Sequence, residues 1–306
     1  MRIADAHHHL WDPVSGTSGI GYRWLREIGA PKPFGDPTPI QRDYLAPEFS
    51  AESAHDLVAS VHVQVDGALP DPVAETRWLD ALWREHGLPG AIVAFCDLSR
   101  DDAPSMIEAH MAASSRLRGI RHIVARTPGR PDISFAPEEW LDHPVWRRNY
   151  AALADYGLSF DLQLHPSQME RAAGLAGGHP DVPVVIDHAG SPFDLSPAGL
   201  DEWSAGMERL AALPHVDCKL SGLGMFDPDW TARSMAPVIE GVIAMFGPRR
   251  AMHGSNFPVD KLFGPYDRLI GAILEAMDGA VEEDRDAVLR GTAMRAYRIA
   301  QEAGTR

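Results

Sequence analysis

Short apolar, β-branched runs recur along the chain and alternate with longer segments of helical period. The runs are Arg2 to His9, Val58 to Val65, Ala91 to Asp97, Gly119 to Val124, Leu158 to Leu164, Val182 to Asp187, His215 to Leu220 and Arg250 to Gly254. Between them, Pro72 to His86 places Trp78, Leu79, Leu82 and Trp83 at the i, i+3, i+4 spacing of one helix face, and Trp146 to Tyr156 follows a Pro-Val start. Strand followed by helix, eight times over, predicts an α/β fold closed as a (β/α)8 TIM barrel. A doubly wound open sheet is the alternative, but no Gly-rich phosphate loop follows the first run. Residues 1–306 read as one domain, with Glu282 to Arg306 as a last helix that closes the barrel.

One interval breaks the rhythm. Asp12 to Glu48 is rich in Pro and Gly and carries Tyr22, Trp24, Arg42 and Tyr44. Loops of this length inside a compact domain are functional or disordered as a rule, and the aromatics speak against disorder. The segment is expected to cap the barrel mouth, with Tyr22 and Trp24 as substrate contacts. A structural plug or a homo-oligomer contact would use the same residue types.

Charge removes several function classes. The 306 residues carry 28 Lys and Arg against 43 Asp and Glu, a net charge of −15. Nucleic acid and anionic membrane surfaces need a cationic face that this chain lacks, so a small molecule is the expected partner. No apolar run approaches a membrane span and the N-terminus lacks the pattern of a secretory signal, which together point to the cytoplasm. Cys96 and Cys218 both fall in apolar strand runs and are expected as free, buried thiols.

Polar residues gather at the ends of the runs, where a barrel builds its active site. Strand alternation puts Ile3, Asp5, His7 and His9 on one face and Ala4, Ala6 and His8 on the other. Later runs end in Gln64, Arg121 and His122, His165, His188, Lys219 and Ser221, and Asn256 follows the eighth. Each alone has a bland explanation, such as an ion pair of Arg121 with Asp161 or Asp187, or an acid partner for Lys219. His62 is expected to be a satisfied core histidine.

Taken together, Asp5-Ala-His-His-His-Leu-Trp-Asp-Pro13, Leu117-Arg-Gly-Ile-Arg-His122, Leu158-Ser-Phe-Asp-Leu-Gln-Leu-His-Pro166, Ile186-Asp-His-Ala-Gly190, Cys218-Lys-Leu-Ser-Gly222 and Gly254-Ser-Asn-Phe-Pro258 resemble the amidohydrolase superfamily. The likeness is greatest to its lactonase-rich branch, which includes fuconolactonase and pyrone dicarboxylate lactonase. That resemblance implies a (β/α)8 hydrolase with an HxH on the first strand, further histidines on later strands and an acid after the eighth that activates water. It also implies that some members work without a bound metal.

The chain departs from the pattern where Gly-Ser-Asp-Trp-Pro is usual, because Asn256 stands at the acid. An amide positions a nucleophile through hydrogen bonds but takes no proton at neutral pH. Three explanations stay open: the base has moved to His188, His253 or Asp260, the substrate needs less activation, or hydrolysis has been lost.

Residue chemistry and resemblance together give a hydrolase that opens a small lactone by direct water attack. The lactone would be that of a sugar acid or of an aromatic breakdown product, with a carboxylate. His7, His9, His188 and Asn256 are the expected catalytic residues, and Arg121, His122, His165, Lys219, Tyr22 and Trp24 the expected substrate contacts. His7, His9 and His188 are also the candidate ligands of one divalent metal, Zn or Mn, and a metal-independent site is equally open. Metal-dependent amide hydrolysis or decarboxylation is the second enzymatic reading, and a binding protein without its base is the third.

Overall fold

The structure, a computed structural model, describes residues 1–300. Residues 301–306 of the expected last helix lie outside the described residues. Eight strands, β1 (Arg2–His8), β2 (Asp56–Val63), β3 (Ala91–Phe95), β4 (Leu117–Arg121), β5 (Ser159–Leu162), β6 (Val184–Ile186), β7 (Val216–Leu220) and β8 (Ala251–His253), run parallel in sequence order. Each is shorter than, or offset from, its apolar run, because the last residues of several runs leave the ladder and turn into the loops that carry the site.

The barrel closes beyond β8. His9 N donates to Phe257 O at 2.8 Å and Asn256 N donates to His7 O at 2.7 Å, so the Gly-Ser-Asn-Phe-Pro segment supplies the seam. The lower interior is filled by small and β-branched side chains, with Ala4, Ala6, Val61, Val63, Val93 and Val185 in one cluster. Such residues suit a narrow barrel axis. Tyr297, from the C-terminal segment, plugs this cluster and donates its hydroxyl to Asp161 at 2.7 Å.

Pro72–His86 is a helix over the predicted span, begun by the Asp71 side chain on Val73 N and ended by Gly87 in the left-handed region. The Trp146 to Tyr156 prediction shifts: the helix is Pro144–Ala152, because the His143 side chain accepts Trp146 N and starts it two residues earlier. The C-terminal segment is Glu282–Asp286 and Thr292–Ala296 joined by a π-helical stretch, Ala287–Gly291, and not one uniform helix. Cys96 and Cys218 are free and buried. Among the described residues no helix is long and apolar enough to cross a membrane.

The interval Asp12 to Glu48 is ordered with little regular structure. Trp11 and Tyr44 bridge its two ends through paired backbone hydrogen bonds of 3.0 and 2.9 Å. Inside it, the Gln41 amide donates to Trp24 O and Glu27 O, both at 3.0 Å, and accepts from Gly29 N at 3.2 Å. One side chain thus satisfies backbone groups that no ladder reaches. Tyr22 and Trp24 tie the segment to the barrel, by Tyr22 Oη to Glu75 at 3.1 Å and Trp24 Nε1 to Val65 O at 3.1 Å.

Candidate active site

Simple alternation along β1 fails at one point. Asp5 pairs with Ser60 and His8 with His62, so three steps on β1 oppose two on β2. The extra residue is a bulge. It turns Ala6 and His7 both inward, whereas Ile3 belongs to the core outside the barrel and Ala4 and Ala6 to its interior. Asp5 therefore does not join the His7 face; its carboxylate accepts His7 N and Ser255 N, each at 2.9 Å, and Tyr266 Oη at 2.7 Å. It satisfies the amide that the bulge leaves unpaired and clamps the seam after β8. Gly254 permits the approach, since a Cβ there would lie 2.8 Å from that of His7. His8 points the other way, stacked on Phe49 with its Nε2 on Ser60 Oγ at 2.9 Å.

His7 sits in a buried mesh of charges. Its Nδ1 lies 3.3 Å from Asp187 Oδ1 and 3.4 Å from Lys219 Nζ, and its Nε2 lies 3.5 Å from Arg121 Nη1. Asp187 pairs with Lys219 at 2.9 Å and Arg121 at 3.2 Å, while Lys219 also binds Asp161. Arg121 further donates to Gln64 O at 2.6 Å and Gln163 Oε1 at 3.3 Å. Burial pushes the Asp187 carboxyl up, yet Lys219, His7 and Arg121 outweigh it and hold it well below the usual carboxylate range. Asp161, equally buried but with fewer cations, is pushed up to about 6 by burial despite Lys219.

Above this mesh a cavity of about 270 Å3 opens at the carboxyl ends of the strands. Arg121, Gln163, Gln64, His9, His188 and Asn256 form its polar floor. Trp11, Trp24, Phe34, Phe135 and Met225 form much of its wall, with Lys32 reaching in from the cap. His9 Nδ1 is 2.7 Å from Val63 O, an acceptor only, so this nitrogen carries the proton and Nε2 carries the lone pair. Burial, then Arg121, hold the His9 imidazole neutral. His188 has φ +53° and its Nδ1 lies 3.0 Å from Ser221 Oγ. Burial pushes its imidazole down to about 3. Gly222 is required beside it: at φ +67°, a Cβ would fall 2.5 Å from His188 Nδ1.

Asn256 also lies in the left-handed region, at φ +56°, where Asn is among the few non-glycine residues found often. Its Nδ2 donates to Asp260 Oδ1 at 3.3 Å. The other two candidate replacements for the missing acid separate clearly. His253 is buried with neither ring nitrogen partnered and does not line the cavity, whereas His188 does.

The structure thus gathers His9, His188, Asn256, Arg121 and Trp24 at one cavity, with His7 directly beneath. Four expected substrate contacts do not line it. His122 accepts Leu98 N and Trp146 Nε1 at 3.2 and 3.1 Å, a structural role that one residue of strand register turns away from the axis. His165 bonds Thr127 Oγ1 at 2.8 Å against Phe193, Lys219 is sealed under His7, and Tyr22 faces Glu75. His62 is a core histidine on Leu10 O, as expected. Sequence pattern does not single out Lys32 and Phe34, which reach the cavity through the fold of a loop without period, or Trp11, which follows β1 and bridges Tyr44. Asp187 and Asp161 entered only as ion-pair partners, although their strand-end positions match those of the histidines.

A set of atoms from His7, Asp187 and His188 lies within 4.8 Å of one another, close enough to hold a metal ion. His9, an expected ligand, is not part of it. The donor set is poorly suited to a dication as it stands: both ring nitrogens of His7 face cations, and the Asp187 carboxylate already neutralises Lys219 and Arg121. A metal there would meet two positive groups at close range.

The profile of the family described as Amidohydrolase matches residues 4–299. The uncharacterized protein y4mH of Sinorhizobium fredii is 38% identical over 98% of this chain and 99% of its own length. The L-fucono-1,5-lactonase of Burkholderia ambifaria is 29% identical over 98% of this chain and 97% of its own. A crystal structure of an amidohydrolase from Burkholderia multivorans with bound zinc superposes with a TM-score of 0.77 at 26% identity, covering 98% of this chain and 100% of that one. With nearly every residue matched by the profile and the eight strands in order, the chain belongs to the Amidohydrolase family.

Proposed function

We propose that this chain hydrolyses a small lactone by direct attack of water. The observation that carries the reading is the convergence of one cation, Arg121, and one imidazole lone pair, His9 Nε2, on the same cavity floor. In this reading Arg121 polarises the lactone carbonyl and stabilises the oxyanion of the tetrahedral intermediate. Asn256 positions the water, and His9 Nε2 accepts its proton. Because burial and Arg121 disfavour a charged His9, the proton passes on readily to the ring oxygen as the C–O bond breaks. Products are a carboxylate and an alcohol on one molecule, with no covalent enzyme intermediate. The relative named as an L-fucono-1,5-lactonase supports lactone chemistry.

The substrate is read as a sugar-acid lactone or an aromatic-catabolic lactone with a carboxylate. Arg121 is neutralised by Asp187, so Lys32 on the cap, 3.9 Å from Glu27, is the cation proposed to meet that carboxylate. Because cations crowd His7, the attack of water is carried by Arg121, Asn256 and His9 without a metal. The test is a pH-indicator assay over γ- and δ-lactones of both kinds, with protein treated with EDTA or supplemented with Zn or Mn. At least one class is opened at a rate EDTA does not change, and His9→Ala loses ~10²–10⁴-fold in kcat. No lactone opened by either preparation would overturn the reading; activity only with added metal would overturn its mechanism.

A further inference from the structure

Resting on the proposed role of Asn256, the geometry points to Asp260 as the positioning residue that selects which end of the Asn256 amide faces the reacting water. The two residues lie one turn apart, with Asp260 N on Asn256 O at 3.1 Å and Asn256 Nδ2 on Asp260 Oδ1 at 3.3 Å. The Asp260 carboxyl lies behind Asn256, outside the substrate cavity, against a void of about 10 Å3. The backbone of Gly222 and Gly224, in the loop after β7, faces the same carboxyl and helps to hold its pKa down.

An amide has a donor end and an acceptor end of nearly equal shape. With Asp260 ionised, it accepts Nδ2, and Asn256 Oδ1 is left to accept a hydrogen bond from the water. With Asp260 protonated, its hydroxyl donates to Oδ1, the amide turns over, and an NH2 faces the water. That arrangement opposes the attacking lone pair. The carboxylate after β8 thus lies one turn beyond 256, where it orients an amide and takes no proton from water. Burial pushes the Asp260 carboxyl up to about 7, which puts the two arrangements within reach of neutral pH.

The groups packed around Asp260 leave it as the titrating member. Lys261, its neighbour, is paired with Glu48 and Glu52. Arg268, which lines the same void, donates to Phe263 O at 2.7 Å and lies over Trp230. The 3-10 turn Thr38–Ile40 brings no ionisable group, and the Leu223–Met225 turn brings backbone and Met225 Sδ.

Two readouts test this. In protein labelled at Asp and Asn, the Asp260 carboxyl carbon titrates near neutrality, and the Asn256 side-chain NH2 resonances move with the same midpoint. This needs no substrate. In kinetics, wild-type kcat rises with pH across that midpoint, and the limb disappears in Asp260→Asn, whose amide does not titrate and keeps a carbonyl to accept Nδ2. Asp260→Ala lowers kcat ~10-fold or more with KM little changed. Thermal melts of the near-isosteric Asp260→Asn verify its fold. Asn256 resonances that ignore the Asp260 titration overturn the inference, as does an unchanged kcat limb in Asp260→Asn. If the resonances move together and no lactone is opened, the coupling stands and the lactonase reading falls.

Discussion

The floor of the site and its roof are built by opposite means. Beneath the cavity, His7, Asp187, Arg121, Lys219 and Asp161 are buried on five different strands or strand ends, and each has two or more partners of fixed position. Above it, the segment Asp12 to Glu48 has almost no regular structure and holds its shape through side chains that satisfy its own backbone, such as Gln41 and Asp12. In the floor, moving one group disturbs every other, so Arg121, the cation proposed to stabilise the oxyanion, is held in a single geometry. In the roof, most contacts are within the segment, and a few such as Tyr22 to Glu75 and Trp24 to Val65 fasten it, so side chains facing the cavity can change at small cost to the barrel. Under the proposed function, chemistry is thereby separated from substrate choice.

The largest effect follows from breaking the floor. Lys219→Met leaves Asp161 and Asp187 buried with one cation fewer, at a cost of about 3–5 kcal/mol in urea unfolding. Both carboxyls then rise in pKa, so the folded state holds protons that the unfolded chain releases, and the loss grows from pH 6 to pH 8. A loss under 1 kcal/mol, within the range of an exposed pair, would mean the mesh is not the rigid element described.

The floor was also the part most readable in the sequence. Eight apolar runs with polar residues at their ends gave the barrel and the meeting of His9, Arg121, His188 and Asn256. Strand alternation alone misplaced Asp5, because a bulge depends on pairing with β2 and leaves no mark on one strand's pattern. The same limit applies to His122 and His165, where one residue of register decides between the cavity and the helices outside. The roof was harder still. Tyr22 and Trp24 looked equivalent as aromatics in one loop, but only Trp24 reaches the cavity, since tertiary bonds set their directions.

An intermediate effect tests how the roof is fastened. Glu75 receives the Tyr22 hydroxyl, and burial pushes its carboxyl up to about 8 in spite of that bond. Because the folded pKa lies above the unfolded value of 4.5, Glu75 favours the folded state most fully below that value. The contribution is lost as pH rises from there through about 8. Glu75→Gln keeps the shape and an acceptor for Tyr22 without the charge. It is expected to lie within about 1 kcal/mol of wild type near pH 5 and to exceed it by roughly 3–4 kcal/mol at pH 8, measured by urea unfolding at each pH. Equal stability at both values would show that Glu75 is not held protonated under the cap.

The smallest effect separates roof from floor most sharply. Trp24→Phe keeps an aromatic wall opposite Trp11, 5.4 Å away, but removes the Nε1 bond to Val65 O. One neutral hydrogen bond contributes about 0.5–1.5 kcal/mol, and the indole is partly open to the cavity, so the unfolding midpoint should fall by no more than that. The kinetic signature is the informative one. Trp24 hydrogen-bonds Val65 and neither Arg121 nor His9, and a loosened wall weakens substrate and transition state alike, so KM rises several-fold while kcat holds. A fall in kcat with KM unchanged would mean that the cap also sets the position of the reacting carbonyl. The separation between a chemical floor and a selective roof would then fail at the residue where the two come closest.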